Sequence, residues 1–460
     1  SDLLTFSPGR VGGFPHSTFK IPHSKTVAPC PSADFVKKFS RGESAPMDDP
    51  SVLTDEFHGQ ACRLASEANS GCIEFLRDLV TLPSPSRAER LACERVVREM
   101  EALGYQDVHT DPLGNVLGRV GSGPRVIAVD AHVDTVGITN PTRWRHDPFR
   151  GVVAGGILYG RGASDQKGGL AAAVHGVAIA ARLGLPADAT VWVTPTVNGE
   201  DCVGQAWQFI LNESTLEPEV VVIAMPSHLG VCHGQRGRME VEVTTSGVST
   251  HGSQPDRGIN AIYRMTTVVD EVERLHHALT VSHPVLGKGS AAVTSISSRS
   301  PSLTAVPDEC TIHIDRRLTI GETAEDALVE LENLDAIRRS EGEVRLLHFD
   351  EPSWRGFSYP TRKVFPAWET PENSPAVKAV VATATRVLDR QPRIHRSAFS
   401  SHGCTTAGMF GIPTVGFGPA DEVHSHTVND QIPLAQLEPA MAFFALFPTV
   451  YLEAGGIERS

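Results

Sequence analysis

The chain has 460 residues, 40% of them hydrophobic and 21% charged, and a formal net charge of −13. That length exceeds one ordinary core and predicts two domains, while the acidic balance excludes nucleic acid as the main partner, because phosphate binding needs a basic surface. No apolar run reaches the ~18 residues of a membrane span, and the opening "SDLLTFSPGRVGGFPHS" lacks the charged and apolar regions of a secretory signal.

Residues 1–55 are rich in Pro, Ser, Gly and His without sustained periodicity, and are read as an N-terminal extension expected to pack against the body. The eight cysteines stand at 30, 62, 72, 93, 202, 232, 310 and 404, with no C-x-x-C. This spacing predicts free thiols in a reducing compartment, hence a cytoplasmic protein. From about Glu74 the pattern changes. "RAERLACERVVREMEALGY" spaces Leu91, Val96, Val97, Met100 and Leu103 as one helical face. The runs "RVIAVDAHVD" (125–134), "ATVWVTPTV" (189–197), "EVVVIAM" (219–225) and "IPTVGF" (412–417) are short and β-branched, the pattern of strands buried on both faces. Helical stretches such as "GGLAAAVHGVAIAARLG" lie between them, so the segment reads as an α/β layered domain.

Residues 238–350 read differently. The order is a strand ("MEVEVTTSG"), a helix ("GINAIYRMTTVVDEVERLHHAL"), two strands ("AAVTSISS", "CTIHIDRRL"), a helix ("TAEDALVELENLDAIRRS") and a strand ("EVRLLHF"). That β-α-β-β-α-β order is the ferredoxin-like split motif. It predicts a smaller domain, 238–350, inserted into a larger one formed by 56–237 and 351–460.

Acids and histidines recur at the ends of the buried strands. "DAHVDTV" supplies His132 and Asp134, the glycine-rich "GRGASDQKGG" supplies Asp165, and "TVNGEDCVG" places Glu200 and Asp201 side by side after the next strand. "EVHSHTVND" offers His424 and His426 late in the chain. In an open α/β sheet functional groups gather at the carboxyl ends of strands. Imidazole and carboxylate together suit zinc or a similar first-row ion, and one carboxylate can bridge two ions roughly 3.5–4 Å apart. Hydrolysis at such a site also needs an acid that takes a proton from the bound water. Of two adjacent carboxylates in a turn, one can face metal and its neighbour the water.

At these motifs the chain resembles the co-catalytic zinc amidohydrolases that include carboxypeptidase G, aminoacylase, acetylornithine deacetylase and succinyl-diaminopimelate desuccinylase. The resemblance covers about residues 70–455, with five motifs in the family's order, and is nearest to a branch carrying "GRGASDxKGG", "FPAWETP" and "GIPTVGFGP" stretches. It implies a mixed-sheet, zinc-peptidase-like catalytic domain with a ferredoxin-like lid that joins two chains in a homodimer. Asp165 would bridge the metals, with His132 binding one ion and Asp201 and His426 the other. Asp134 would orient His132, and Glu200 would be the general base acting on metal-bound water. His251, in the lid segment "STHGSQPDRGINAI", would stabilise the oxyanion, often from the partner subunit. Asn260 of that segment and Arg317 of "HIDRRL" would bind substrate. The implied cofactor is Zn2+, one or two ions, with Co2+ or Mn2+ as alternatives.

Two positions depart from the family. Asp201 stands where Glu is usual, and Met225 in "VVVIAMPSHLG" replaces an acid that completes the His132 site. A thioether is a poor zinc ligand beside hard oxygens, so one tightly held ion is expected unless His228 folds back to substitute. The leading reading is a metal-dependent hydrolase of an amide-type C–N bond in a small N-acyl amino acid, dipeptide or related metabolite. A derived enzyme running acyl transfer or condensation, a silent binding protein, and a thiol hydrolase using Cys404 in "SSHGCTTAG" are the competing readings.

Overall fold

The computed structural model describes residues 54–455, so the expectation for the N-terminal extension falls almost wholly outside the described residues. At its boundary Thr54 accepts a hydrogen bond from the Phe57 amide and caps helix α1 (Asp55–Thr81). Helix α2 (Arg90–Ala102) follows, then strands β1 (Gln106–Thr110), β2 (Val116–Gly121) and β3 (Arg125–His132). The chain continues through α3 (Gly168–Leu183), β4 (Ala189–Thr196), α4 (Gln205–Glu213), β5 (Val220–Ile223) and β6 (Val231–Gln235).

A second block begins with β7 (Gly237–Ser246), α5 (Ala261–Ala278), β8 (Ser290–Arg299) and β9 (Glu309–Leu318). It goes on through α6 (Ala324–Glu332), α7 (Asp335–Arg339) and β10 (Glu343–Leu346). After β11 (Val364–Phe365) the chain returns with β12 (Trp368–Glu369), α8 (Pro375–Leu388), β13 (Ile394–Ser397), β14 (Thr414–Gly416) and α9 (Leu437–Glu453).

The larger sheet runs β1-β2-β4-β3-β5-β14-β6-β12, with β13 paired to β6. Its centre, β4-β3-β5-β14, is parallel, whereas β1, β2 and β12 pair antiparallel at the margins. The fold is therefore a mixed-sheet α/β protein. Period-2 alternation divides the strands between two apolar clusters. Ile127, Val129, Val191, Val193, Val220 and Val222 pack with α1, α3, α8 and α9, while Ala128, Val221 and Ile223 pack with Trp207 and Ile210 of α4. Both faces are covered, which explains why these strands read as continuous hydrophobic runs.

The second block forms a five-stranded antiparallel sheet, β8-β9-β7-β10 with β11 added beside β7. The first four strands have the ferredoxin-like order. Their inner face packs with α5, α6 and α7 in a separate apolar cluster built on Val241, Val243, Ile312 and Ile314. The single helix expected over 323–340 is two, interrupted at Asn333 and Leu334. In α2 the expected face is rotated: Leu91 is exposed, and Ala92 and Cys93 join Val96 and Met100 inside.

Helices α3 and α9 approach closely at Gly176. A Cβ there would lie 2.7 Å from the Met441 carbonyl oxygen and 2.7 Å from Phe444 Cβ. Alanine normally stabilises a helix interior by about 1 kcal/mol over glycine. At this crossing the added methyl must push two buried helices apart, which typically costs ~1–3 kcal/mol. Gly176→Ala is expected to lower the thermal unfolding midpoint of the full chain. An unchanged or raised midpoint would show that the helices separate freely.

Candidate metal centre

The parallel strands deliver their carboxyl ends to one side of the sheet. His132 ends β3 opposite Thr196 at the end of β4, and Asp130 lies level with Ile223 at the end of β5. The turn after β4 is fixed from several directions. Asn115 Oδ1 accepts the Val197 amide at 3.0 Å, Glu89 Oε1 accepts the Asn198 amide at 3.1 Å, and Asn198 adopts a left-handed conformation with φ 58°. The fully buried carboxylate of Asp134 then accepts the Gly199 and Glu200 amides, each at 2.9 Å, and the Ser86 hydroxyl at 2.6 Å.

Asp165 comes from the glycine-rich turn ahead of α3. Gly162 sits there at φ +84°, where a Cβ would meet Thr135 Cγ2 at 2.6 Å. Buried Asp430 clamps this turn, its carboxylate accepting the Gly162 and Ser164 amides at 2.7 and 2.8 Å and the Arg161 guanidinium at 3.1 Å. Burial pushes the Asp430 carboxyl up to about 6, against the pull of those donors.

These turns bring four side chains together. Ligand atoms of His132, Asp165 and Glu200 lie within 4.8 Å of one another. His132 Nε2 is 3.3 Å from Asp165 Oδ1, and His426 Nε2 is 3.4 Å from Asp165 Oδ2 and 3.0 Å from Glu200 Oε2. His132 Nδ1 lies 3.0 Å from the Asp134 carbonyl oxygen and 3.5 Å from its carboxylate, so the ring is held by Nδ1 with Nε2 turned to the cluster.

Burial disfavours a charged His132, but the Asp134 and Asp165 carboxylates outweigh it and hold the imidazole well above its ordinary pKa. Asp165 and Glu200 push His426 up to about 10. Burial raises Glu200, and burial of Asp165 is outweighed by its hydrogen bonds to the two imidazoles, which hold it well below the usual carboxylate range. The imidazoles thus take up protons where the acids demand positive charge. Two imidazoles and two carboxylates fit a borderline ion such as zinc.

Other expected members lie elsewhere. Asp201 faces away from the cluster; its side chain is 46% exposed, with Oδ2 3.7 Å from Arg87 Nε. The neighbours at 200 and 201 point to opposite sides of the turn, and Glu200 is the one that reaches His426. Met225 is buried on the cavity wall against Gly416, and His228 is turned outward, with Nδ1 3.1 Å from Gln436 Nε2. His424 points to Gln431. His251 is exposed beside Ser253, and the Asn260 side chain caps α5 by accepting the Ile262 amide; neither lines the cavity. Burial pushes the Cys404 and Cys202 thiols up to about 12, which removes the nucleophilic reading of Cys404.

The cluster opens on a cavity of ≈ 270 Å³. Arg238 and Arg317, directly opposed in the β7–β9 register, reach it from the second sheet, and His402 lines its wall. The "HIDRRL" strand gave notice of Arg317; Arg238 and His402 are residues the sequence did not single out.

An acid–imidazole cluster at the carboxyl ends of a mixed sheet, with a second sheet supplying guanidinium groups, defines the class of metallohydrolases. Residues 128–449 match Peptidase family M20/M25/M40, and the chain belongs to that family, whose members are metallohydrolases acting on peptide or amide bonds. It is 42% identical to the uncharacterized protein YgeY of Escherichia coli (strain K12), over 84% of this chain and 96% of that one. It is 27% identical to the N-formyl-4-amino-5-aminomethyl-2-methylpyrimidine deformylase of Bacillus subtilis (strain 168), over 71% and 79%. In fold it is similar to the M20 family metallo-carboxypeptidase Sso-CP2 of Sulfolobus solfataricus, with a TM-score of 0.63, 17% identity and coverage of 83% and 98%.

Calorimetric zinc titration of metal-free protein tests the cluster. Zinc needs neutral imidazole and ionised carboxylate. With His426 held at about 10, binding at pH 7 is expected to release ~1–2 protons and to tighten as pH rises toward 10. Glu200→Gln is expected to weaken zinc by more than the ~10–100-fold typical of losing a ligand-orienting partner, while Asp201→Asn leaves it unchanged. The reverse ranking would return the ligand role to Asp201.

Proposed function

We propose that this protein hydrolyses an amide-type C–N bond in a small N-acyl amino acid, dipeptide or related metabolite that carries a carboxylate. The observation that carries the reading is the single cavity shared by the acid–imidazole cluster and two opposed arginines. Two guanidinium groups directly across a strand pair repel each other unless anions intervene. Asp315 pairs with Arg317 at 2.7 Å and Glu240 with Arg238 at 3.2 Å, yet Arg238 Nε is buried without a partner among the described residues. A bidentate carboxylate is the chemistry such donors fit.

In this reading His132, Asp165, Glu200 and His426 hold zinc, with Co2+ or Mn2+ as substitutes, and the ion polarises the scissile carbonyl and lowers the pKa of water toward 7. Asp134 keeps His132 Nε2 aimed at the cluster. Residues 238–350 act as the lid and 56–237 with 351–460 as the catalytic domain. Cys72, Cys93, Cys202, Cys232, Cys310 and Cys404 are free thiols, which supports a cytoplasmic setting, and no helix of the described residues is long and apolar enough to cross a membrane. A second reading, an enzyme turned to acyl transfer or condensation, draws on Met225 and on Gly199, since neither position supplies an acid to the cavity.

Turnover of a panel of N-acyl amino acids and dipeptides, each beside its C-terminal amide, tests the substrate class. Free acids are expected to be preferred by ~100-fold or more, because a site built for a charged group rejects the analogue lacking it. Equal rates for acid and amide would remove the arginines from recognition, and product formation only with an added amine acceptor would favour the transfer reading.

We further propose a homodimer through residues 238–350, with His251 and Asn260 completing the partner's cavity. Exposed Tyr263, Ile296 and Leu303 on that block support it. Mixing inactive Glu200→Gln and His251→Ala chains should restore activity, because one site of the hybrid is intact. A proven heterodimer without recovery would place His251 outside catalysis between chains.

A further inference from the structure

The reading above leaves one role without a residue. Hydrolysis needs a group that takes a proton from the attacking water and returns it to the leaving amine. Glu200 lies among the ligand atoms, and Asp201 faces away. Position 199 offers no alternative: a Cβ there would sit 2.7 Å from His132 Cβ and 2.8 Å from its Cγ, so this backbone admits only glycine.

His402 stands on the same cavity wall and is not engaged by anything that faces the cavity. It is 2% exposed, and its Nε2 is fully buried with no hydrogen-bond partner among the described residues. Its other nitrogen, Nδ1, lies 2.7 Å from Asp130 Oδ2. Asp130 is itself fully buried, with the Thr194 and Thr196 hydroxyls 3.4 and 3.3 Å from Oδ1. Because a carboxylate only accepts, the ring donates from Nδ1, and in its neutral form the lone pair is on Nε2. Asp130 and His132 are two apart on β3 and project from the same face, so the Asp130 bond sets the His402 ring beside His132, with ring centroids 6.1 Å apart.

The support is rigid. Gln235 Oε1 accepts both the Ser401 amide at 2.7 Å and the Ser401 hydroxyl at 2.6 Å, and Gly403 is so close to Trp368 that a Cβ would meet its ring at 2.3 Å. An unpartnered imidazole nitrogen on a residue that lines the cavity outside the ligand cluster, backed by a carboxylate through its other nitrogen, has the arrangement of an acid-oriented general base.

We propose that His402, oriented by Asp130, is the proton acceptor and donor for hydrolysis in this chain, a step that rests on the hydrolase reading. Water oxygen bonds to the scissile carbonyl carbon as one of its protons passes to His402 Nε2 and the C=O π pair moves onto the carbonyl oxygen. That pair then re-forms the carbonyl as the C–N bond breaks, the C–N electron pair stays on nitrogen, and that nitrogen takes the proton from Nε2. Asp130 is a positioning residue, since it acts only through the ring.

Two measurements test this. In a crystal structure of the zinc-loaded full chain, Nε2 should bond an ordered water that also touches zinc; direct coordination of zinc by Nε2, or a ring turned to another protein group, would overturn the proposal. In kinetics on the best panel substrate, His402→Ala should lose about 10²–10⁴-fold in kcat with KM and zinc content near wild type. Asp130→Asn, whose amide forces the hydrogen onto Nε2, should also lose kcat. Unchanged kcat in His402→Ala, or loss of its zinc, overturns the proposal. A wild-type chain that turns over nothing in the panel counts against the hydrolase reading instead, and the zinc-loaded structure still decides the place of His402.

Discussion

The Asp134 carboxylate is the interaction on which the site depends. Three donors converge on it, the Gly199 and Glu200 amides and the Ser86 hydroxyl, and His132 Nδ1 lies 3.5 Å away. One buried acid therefore joins the end of β3, the turn after β4 and the loop after α1. The bonds have opposite geometric consequences for the two neighbours that follow. With its amide drawn onto Asp134, Glu200 extends toward Asp165 and His426, and the next residue, Asp201, is carried to the outer side beside Arg87. A fully buried carboxylate is costly unless its acceptors are filled, and here they are. Burial alone would raise Asp134, but His132 and Ser86 help hold it below its ordinary value.

The cluster is the second consequence. Asp165 and Glu200 are brought within reach of two imidazoles in a partly buried cleft, and both imidazoles are driven toward the charged form. That field asks for a cation in the cleft, and metal competes with protons for it. Across the cavity, positive charge comes from Arg238 and Arg317 on the other sheet. The proposed substrate, with a carboxylate at one end and an amide at the other, would span those two fields. That division between the sheets would set specificity and chemistry on different elements.

Much of this was legible from residue types. The four central strands announced themselves as β-branched runs because both of their faces are covered, and the ferredoxin-like order of the second block followed from its alternating strands and helices. His132, Asp165 and His426 were singled out because strand ends concentrate function. What escaped had physical reasons. Helix α1 lacks a sharp apolar contrast over its first turns, and β1, β11 and β12 are short marginal strands with little pattern to read. The choice between Glu200 and Asp201 could not be made from types alone, since it depends on which backbone amide Asp134 draws in. His402 was invisible for a similar reason: its meaning comes from Asp130, 272 positions away in sequence and one hydrogen bond away in space.

Gly199 and Met225 belong together physically. Glycine at 199 lets the turn sit directly over the His132 ring, and methionine at 225 lines the same wall with a thioether. Neither offers a carboxylate to the cavity, so the acids of the cluster are Asp165 and Glu200. An ion held by them with His132 and His426 would leave His402, which lines the same cavity outside that set, uncoordinated. A proton-transfer role for His402 requires that freedom from the metal.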